Sequence, residues 1–220
     1  MSNAGASPPR RRGRPRGGSS EQTRRALLDA ARRQFAENGF SSTSLGGIAA
    51  EVGIANSAVY HYFPDKIALY REVFEETATG IWGRMLDSVE GCSTMYEGVE
   101  LLLRGRGGER QPNQSLFLSS MPTVAVLHED LTPLLARRAE LQRPVFLHLA
   151  ALGVRNGELP GFDVETGAEF LRVAVMGWFF ERFWHAVDPE VGIDAILTAI
   201  RAMSGGAVPK RRPAPSRRSA

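Results

Sequence analysis

The stretch that decides the fold is residues 43–69, TSLGGIAAEVGIANSAVYHYFPDKIAL. Thr43 or Ser44 can cap a short helix, in which apolar residues then recur at a spacing of three and four. This helix should end at Gly53, where a tight turn leads into a second short helix around Val59. Two short helices joined at a glycine and packed on a longer one form a helix-turn-helix, which is the predicted centre of the fold.

Helices are also predicted on both sides of this stretch. The preceding helix should begin after a cap at Ser19 and end at Asn38. Gly39 should then take the left-handed conformation and place Phe40 against Phe35.

On the other side, Pro64-Asp65 should break the third helix and cap a fourth one, which runs from Lys66 toward Trp82. Further helical stretches are predicted near residues 94–104, 115–128, 132–156, 164–186 and 190–203. Because no alternating strand pattern is present, the sequence predicts an all-α fold.

The two ends of the chain are strongly basic. Residues 1–25 hold seven arginines and one acidic residue, and residues 209–220 hold five basic residues and no acidic one. The formal net charge is only +3, so the part between the ends is acidic. Cationic segments of this kind attract phosphate and indicate a nucleic-acid partner, with a solubilising tail as the alternative for the C-terminal run.

Several other classes of protein are disfavoured. The single cysteine, Cys92, excludes an intrachain disulfide. No apolar run approaches the roughly 20 residues that span a bilayer, and the N-terminus lacks the apolar segment of a signal peptide. The four histidines are dispersed, and no nucleophile elbow or phosphate-binding glycine loop is present. We therefore expect a cytoplasmic protein that is not an enzyme and uses no cofactor or metal.

Residues 43–69 resemble the signature of the TetR family of transcriptional regulators along their whole length. The matching positions are Ile48-Ala49, Gly53-Ile54, Val59-Tyr60, Phe63, and Lys66 with Leu69. The resemblance covers residues 20–70, and beyond them only overall length and helical content agree. It implies a homodimeric regulator, usually a repressor, that binds a DNA operator and a small-molecule effector.

The resemblance also implies a division of the chain into an N-terminal three-helix helix-turn-helix domain and a helical ligand-binding and dimerisation domain. The expected parts are a disordered basic arm (1–18), the DNA-binding domain (19–66), the ligand-binding and dimerisation domain (67–204) and a disordered basic tail (205–220).

The third helix carries the residue types that a recognition helix needs. Asn56, Ser57 and Ala58 stand at its start, where small and polar groups are expected to read base edges. Phosphate contacts are predicted for the polar groups around them, namely Thr43, Ser44, Tyr60, His61, Tyr62 and Lys66. Of the three residues 60–62, Tyr60 is the one that could instead belong to the core.

Two features depart from the family pattern. Ala55 stands where the family often has a serine cap, and Asn56 or Ser57 could take over that role. Gly46-Gly47 occupy the early second helix and cost roughly 2 kcal/mol relative to alanine. The helix-turn-helix could therefore reach full order only on DNA.

The second domain is expected to supply the dimer interface. Residues 164–187 are apolar almost all round the helix, which predicts burial against both the chain's own core and a partner. The large residues of this segment are Phe170, Val173, Val175, Trp178, Phe179, Phe183 and Trp184. Gly167 and Gly177 could allow a partner helix to approach closely.

The ligand pocket implied by the family has its candidates among large apolar side chains: Trp82, Met85, Phe117, Met121, Phe146, Met176 and Phe179. Each could equally be plain core. His128, His148 or Arg182 could supply a polar anchor, and the chemical class of the ligand stays open.

Two further hypotheses concern the arm and the switch. Arg12-Gly13-Arg14-Pro15, followed by Arg16, resembles an AT-hook for the minor groove of A·T-rich DNA, with a nonspecific cationic tail as the alternative. A structural DNA-binding protein of the same fold with no small-molecule switch is the main alternative function. An enzyme acting on an apolar substrate through His128 or His148 is disfavoured.

Overall fold

Helices form all the regular secondary structure in the part of the chain that the computed structural model describes, residues 16–105, 112–182 and 188–205. This confirms the predicted all-α fold. The elements in these ranges are α1 (Arg16–Ser42), α2 (Leu45–Val52), α3 (Asn56–Val59), α4 (Lys66–Glu90), α5 (Met95–Arg104), α6 (Pro112–Leu127), a 3-10 turn (Glu129–Leu131), α7 (Pro133–Arg155), α8 (Val164–Glu181) and α9 (Pro189–Met203).

Helix α1 differs from its prediction at both ends. It begins at Arg16, so Ser19 lies inside the helix and cannot take the extended backbone of an N-cap; the predicted cap is wrong. Gly39 has the expected positive φ of 77°, but its ψ of 168° makes it extended, and helical backbone resumes as far as Ser42. The predicted contact beyond the glycine is confirmed, since the Phe35 and Phe40 rings stack with centroids 5.8 Å apart.

The helix-turn-helix begins and turns where the sequence predicts. Ser44 caps α2 by accepting a hydrogen bond from the Gly47 N–H at 3.1 Å. Gly53 ends α2 in the left-handed conformation, with φ 77° and ψ 31°. The N-cap of α3 is Ala55, which offers no side-chain hydrogen bond, so the expectation that Asn56 or Ser57 replaces it is wrong.

Helix α4 connects the DNA-binding end to the rest of the molecule. Its predicted cap is confirmed, since Asp65 accepts from the Ala68 N–H at 2.7 Å. Arg32 of α1 is 8% exposed. Its guanidinium donates to Thr77 Oγ1 at 2.8 Å and to Glu76 Oε2 at 2.9 Å, both on α4. The first half of α4 therefore packs on α1.

The second half is held by helices α5 to α9. The buried Glu158 carboxylate, just after α7, caps α5 by accepting from the Met95 N–H at 2.7 Å and the Tyr96 N–H at 3.3 Å. Arg104 at the end of α5 pairs with Glu190 and Asp194 of α9. Helix α7 lies between α4 and α8 and packs on both. None of the helices described here has the length and apolar character to cross a membrane.

Candidate DNA-binding surface and ligand cavity

The starts of α2, α3 and α4 surround an open depression. Five of the nine predicted DNA-contact residues line it: Thr43, Ser44, Asn56, Tyr60 and Lys66. The remaining lining residues are Ser41, Leu45, Gly46, Pro64 and Asp65. Ser57, Ala58, His61 and Tyr62 lie outside the depression.

The predicted base-reading positions lie at the surface end of α3. Asn56 and Ser57 are exposed, and Ala58 is half-buried next to the buried Val59. A Cβ added to Gly46 would lie 3.6 Å from Asn56 Oδ1, so the Asn56 amide rests over this glycine of α2. The glycine thus leaves room for the amide beside α2.

Tyr60 and Tyr62 differ in exposure. Tyr60, predicted as a phosphate contact with the core as the alternative, is 53% exposed. Tyr62 is half-buried and packs against the core. The reason is the turn after α3, in which the N–H groups of Tyr62 and Phe63 both donate to the Val59 carbonyl and direct the chain inward.

Lys66 and Thr43 form hydrogen bonds within the chain. The Lys66 ammonium donates to the carbonyls of Phe40 at 2.9 Å and Thr43 at 3.1 Å, and it lies 4.4 Å from the centre of the Phe40 ring. The Thr43 hydroxyl donates to the Gly39 carbonyl at 2.8 Å, and the residue is 3% exposed. Both side chains hold the α1–α2 connection in place, whereas the sequence predicts them as phosphate contacts.

The arm residues fall largely outside the described part of the chain. Arg12 and Arg14 lie outside it. Arg16 is the first residue of α1, so its backbone is helical, in contrast to the extended form that the AT-hook hypothesis requires of the arm.

A second, largely apolar cavity lies between α4, α6, α7 and α8. Its volume is about 80 Å³. Its lining includes four predicted ligand-pocket residues, Trp82, Met85, Met176 and Phe179, together with Phe74, Ile81, Ser115, Leu118, Ser119, Pro122, Arg138, Gln142 and Phe180.

The other three predicted pocket residues do not line this cavity. Phe117 and Met121 are 0% exposed, and Phe146 is 1% exposed. Each of these three side chains packs in the core instead. Sequence alone could not separate a buried aromatic side chain that faces a cavity from one that faces another helix.

The predicted polar anchors also lie elsewhere. His128 packs on Phe40, with ring centroids 4.6 Å apart. The Arg182 guanidinium lies over the Phe179 ring at 4.8 Å. His148 has a buried Nε2 atom without a hydrogen-bond partner, but it is not among the lining residues.

The sequence did not predict the two polar residues of α7 that line the cavity, Arg138 and Gln142. Gln142 is 1% exposed. Its amide Nε2 lies 3.5 Å from Met176 Sδ, and its Oε1 has no partner. Burial lowers the pKa of the Arg138 guanidinium, and the nearby Arg172 lowers it further. The sequence did contain a signal for these two residues. They are polar, yet they lie on the same face of α7 as the apolar Leu134 and Val145.

Helix α6 faces the cavity on one side and the DNA-binding end on the other. Ser115, Leu118 and Ser119 line the cavity. Phe117 points the other way, with its ring centroid 5.0 Å from that of Tyr70 and 6.3 Å from that of Phe35. The Tyr70 hydroxyl in this aromatic cluster is buried without a partner, and burial raises its pKa. Helix α6 therefore connects the cavity to the end of α1.

Part of α8 and α9 is apolar and exposed. Val173 is 58% exposed and Phe180 45% on α8, and Val191 is 59% exposed on α9. Gly177 has open space around it, whereas a Cβ on Gly167 would lie 3.0 Å from Leu159 Cδ1 of the same chain. Of the two glycines proposed for a dimer contact, Gly167 thus serves internal packing. Phe183 and Trp184 lie outside the described residues.

A helix-turn-helix followed by a helical domain with a cavity defines a class of DNA-binding regulator, and the comparisons with known proteins agree. Residues 27–73 match the model of the bacterial regulatory proteins, tetR family. The chain is 24% identical over 192 residues to the HTH-type transcriptional repressor BepR of Brucella suis biovar 1, covering 83% of this chain and 89% of BepR. It is 42% identical over 62 residues to the HTH-type transcriptional regulator AcrR of Shigella flexneri, covering 28% and 29% of the two chains.

A solved structure has the same fold. The putative transcriptional regulator from Saccharomonospora viridis, in complex with choline, superposes with a TM-score of 0.68 at 16% identity, covering 83% of this chain and 95% of its own. This likeness shows the shared fold. The helix-turn-helix match at residues 27–73 and the relatives BepR and AcrR support a transcriptional regulator of the TetR family, whose members are not enzymes.

Proposed function

We propose that this regulator is a repressor that binds a two-fold symmetric operator as a homodimer and leaves it when a small, largely apolar ligand enters the cavity. The observation that carries the proposal is the position of α6. Its residues Leu118 and Ser119 line the cavity, while Phe117 contacts the aromatic cluster at the end of α1.

Operator binding is assigned to the depression and to the exposed start of α3. Asn56 and Ser57 are exposed where a recognition helix reads base edges, and Ala58 lies beside them. Phosphate contacts are assigned to the exposed side chains of Tyr60 and His61. The N-terminal end of α2, which follows Ser44, also suits a phosphate because a helix N-terminus carries partial positive charge. Because the partner is DNA, the cytoplasm remains the expected compartment.

Dimerisation is assigned to the exposed apolar residues of α8 and α9. Val173, Gly177 and Phe180 follow one another at helical spacing on α8, and Val191 adds to this surface from α9. A homodimer presents two equivalent recognition helices to successive major grooves, so its operator should be palindromic.

The dimer interface is tested by placing a charge on it. Val173→Asp should shift the protein from dimer to monomer in sedimentation experiments, because an aspartate would be buried against an apolar partner surface. Val126→Asp is the matched control, since Val126 is also an exposed apolar residue, 73% exposed, but lies at the end of α6. Equal behaviour of the two variants would refute this interface.

Ligand control requires that the ligand binds the operator-free conformation more tightly. A ligand that displaces α6 would move Phe117 and, through Phe35 and Tyr70, alter the angle of the DNA-binding end. The coupling must be reciprocal, so the operator must weaken ligand affinity by the factor with which the ligand weakens operator affinity.

The experiment that tests the whole proposal is selection of bound sequences from random DNA, repeated with apolar ligands, followed by calorimetric titration of ligand with and without the selected operator. Palindromic sites and unequal ligand affinities are expected. A single asymmetric half-site would contradict the dimer. Equal ligand affinities, with many dispersed DNA sites, would favour a structural DNA-binding protein without a switch.

The basic arm is proposed to add minor-groove contacts through Arg12 and Arg14. Deletion of residues 1–15 should then weaken operators with A·T-rich flanks more than operators with G·C-rich flanks at the same salt concentration. An equal loss on both would leave only a nonspecific cationic attraction.

A further inference from the structure

Arg138 and Gln142 lie one helical turn apart on α7 and both line the cavity. Residues four apart on a helix are neighbours on the same face. Within the described part of the chain, Arg138 makes no hydrogen bond or ion pair, although most other arginines of the second half pair with a carboxylate. Gln142 Oε1 is buried and without a partner.

Such an arrangement is costly unless another molecule completes it. A buried polar atom without a partner and a half-buried charge without a counter-ion both oppose folding. The rest of the wall is apolar and aromatic, with Phe74, Trp82 and Phe179 among its members. The cavity thus combines an apolar wall with one cation, the unpaired Gln142 Oε1 and the hydroxyl groups of Ser115 and Ser119.

Resting on the proposed ligand control of this cavity, we infer that the effector is an amphipathic carboxylate with a hydroxyl group near the carboxyl end. The carboxylate would pair with the Arg138 guanidinium, which matches two carboxylate oxygens with two N–H donors. The hydroxyl would donate to Gln142 Oε1. The hydrocarbon part would cover Trp82, Met85 and Phe179. The cavity volume is about 80 Å³ and the cavity is open on one side, so the far end of an eight-carbon chain would extend toward the opening.

The inference is tested on the full-length protein with four compounds that share an eight-carbon chain. Calorimetric titration should give the order 3-hydroxyoctanoate, octanoate, octanol, octyltrimethylammonium, from the tightest to the weakest. A pairing with a charged group predicts that octanoate binds about 10- to 100-fold more tightly than octanol. The inference is overturned if octanol or octyltrimethylammonium binds as tightly as octanoate, or if neither carboxylate binds at millimolar concentration.

Two variants assign the effects to the two side chains. Arg138→Met should remove most of the advantage of the carboxylates and leave octanol affinity within a few-fold. Gln142→Leu should remove the difference between 3-hydroxyoctanoate and octanoate. Arg143→Met is the matched control, because Arg143 is an exposed arginine of the same helix, paired with Glu165 at 2.8 Å. If Arg143→Met weakens octanoate as much as Arg138→Met does, the assignment to Arg138 fails.

Operator release, measured separately by fluorescence anisotropy of labelled DNA, distinguishes the two proposals. If octanoate binds in an Arg138-dependent way without releasing DNA, the ligand class holds and the switch fails. If octanol releases DNA and the carboxylates do not bind, the switch holds and the ligand class is wrong. Circular dichroism of each variant checks that it folds. If a variant does not fold, the four-compound series on the unaltered protein still tests the ligand class.

Discussion

At the helix-turn-helix, the side chains of Ser44, Asp65 and Lys66 are hydrogen-bonded within the chain, whereas in the cavity two polar side chains have no partner. Ser44 and Asp65 cap helices, and Lys66 binds the carbonyls at the end of α1. In contrast, Arg138 and Gln142 Oε1 are left without partners by the described residues. The difference teaches that one end fits the proposed DNA partner without rearrangement, while the other has polar groups that the proposed ligand would satisfy.

The strongest test of the connection between these two regions uses two buried phenylalanines. Phe117→Ala and Phe146→Ala should each lower the free energy of unfolding by about 3–5 kcal/mol, because each leaves a cavity in a packed core. Chemical denaturation measures this loss. If either variant loses less than about 1 kcal/mol, the site is not packed as described.

The milder changes Phe117→Leu and Phe146→Leu then separate packing from coupling. Of these two phenylalanines, Phe117 is the one that contacts Phe35 and Tyr70 in the aromatic cluster. Phe117→Leu should therefore reduce the effect of ligand on operator affinity, while Phe146→Leu preserves it at a similar loss of stability. An equal effect of both variants on ligand response would break the assigned path through α6.

Lys66→Met distinguishes a shaping residue from a phosphate contact. Loss of the charged hydrogen bonds to the Phe40 and Thr43 carbonyls should lower the free energy of unfolding by about 1.5–3 kcal/mol and weaken binding to all operators. The salt dependence of DNA binding should stay unchanged. A salt slope smaller by about one unit, with stability unaffected, would show that Lys66 instead neutralises a phosphate.

Tyr70→Phe should stabilise the protein by about 1 kcal/mol at neutral pH, because it removes a buried hydroxyl that lacks a partner. The two proteins should differ more at alkaline pH. Burial raises the pKa of Tyr70 in the folded state, so above pH about 10 only the unfolded tyrosine ionises, and stability is lost as pH rises toward the folded pKa. Tyr70→Phe removes this loss. Thermal unfolding from pH 8 to 11 measures it, and parallel curves would mean that Tyr70 is hydrated.

The smallest expected effect compares the two glycines of α2. Gly46→Ala should stabilise the protein by up to about 1 kcal/mol, since the added Cβ would make only ordinary contact with Asn56 Oδ1 at 3.6 Å. Gly47→Ala should gain less, because its Cβ would lie 3.3 Å from Ser44 Oγ, the capping atom. Thermal unfolding ranks the two variants, and the reverse order would mean that the cap adjusts at no cost.

The features that the sequence predicted correctly are those decided by neighbouring residues. The left-handed Gly53, the Asp65 cap and the contact between Phe35 and Phe40 each depend on a few consecutive positions. All the predicted helices of the second half were found for the same reason, because apolar periodicity is local.

The features that it did not predict depend on distant parts of the chain. The three carbonyls around Lys66 come from the end of α1 and from Thr43 just after it, 23 or more residues earlier. Tyr62 is directed inward by a turn whose geometry the sequence does not specify. Whether Arg138 has a partner depends on how α7 packs between α4 and α8, and a helical pattern alone contains no such information.

The Arg32 guanidinium, bonded to Thr77 and Glu76, has a consequence for anyone who wishes to exchange modules between regulators. A chimera joined at residue 66 would separate this arginine from both acceptors and Phe35 from Tyr70, so we expect it to misfold. A junction beyond Ala78 would keep these contacts within one parent. The transplantable unit is therefore longer than the DNA-binding motif itself, because it includes the first half of α4.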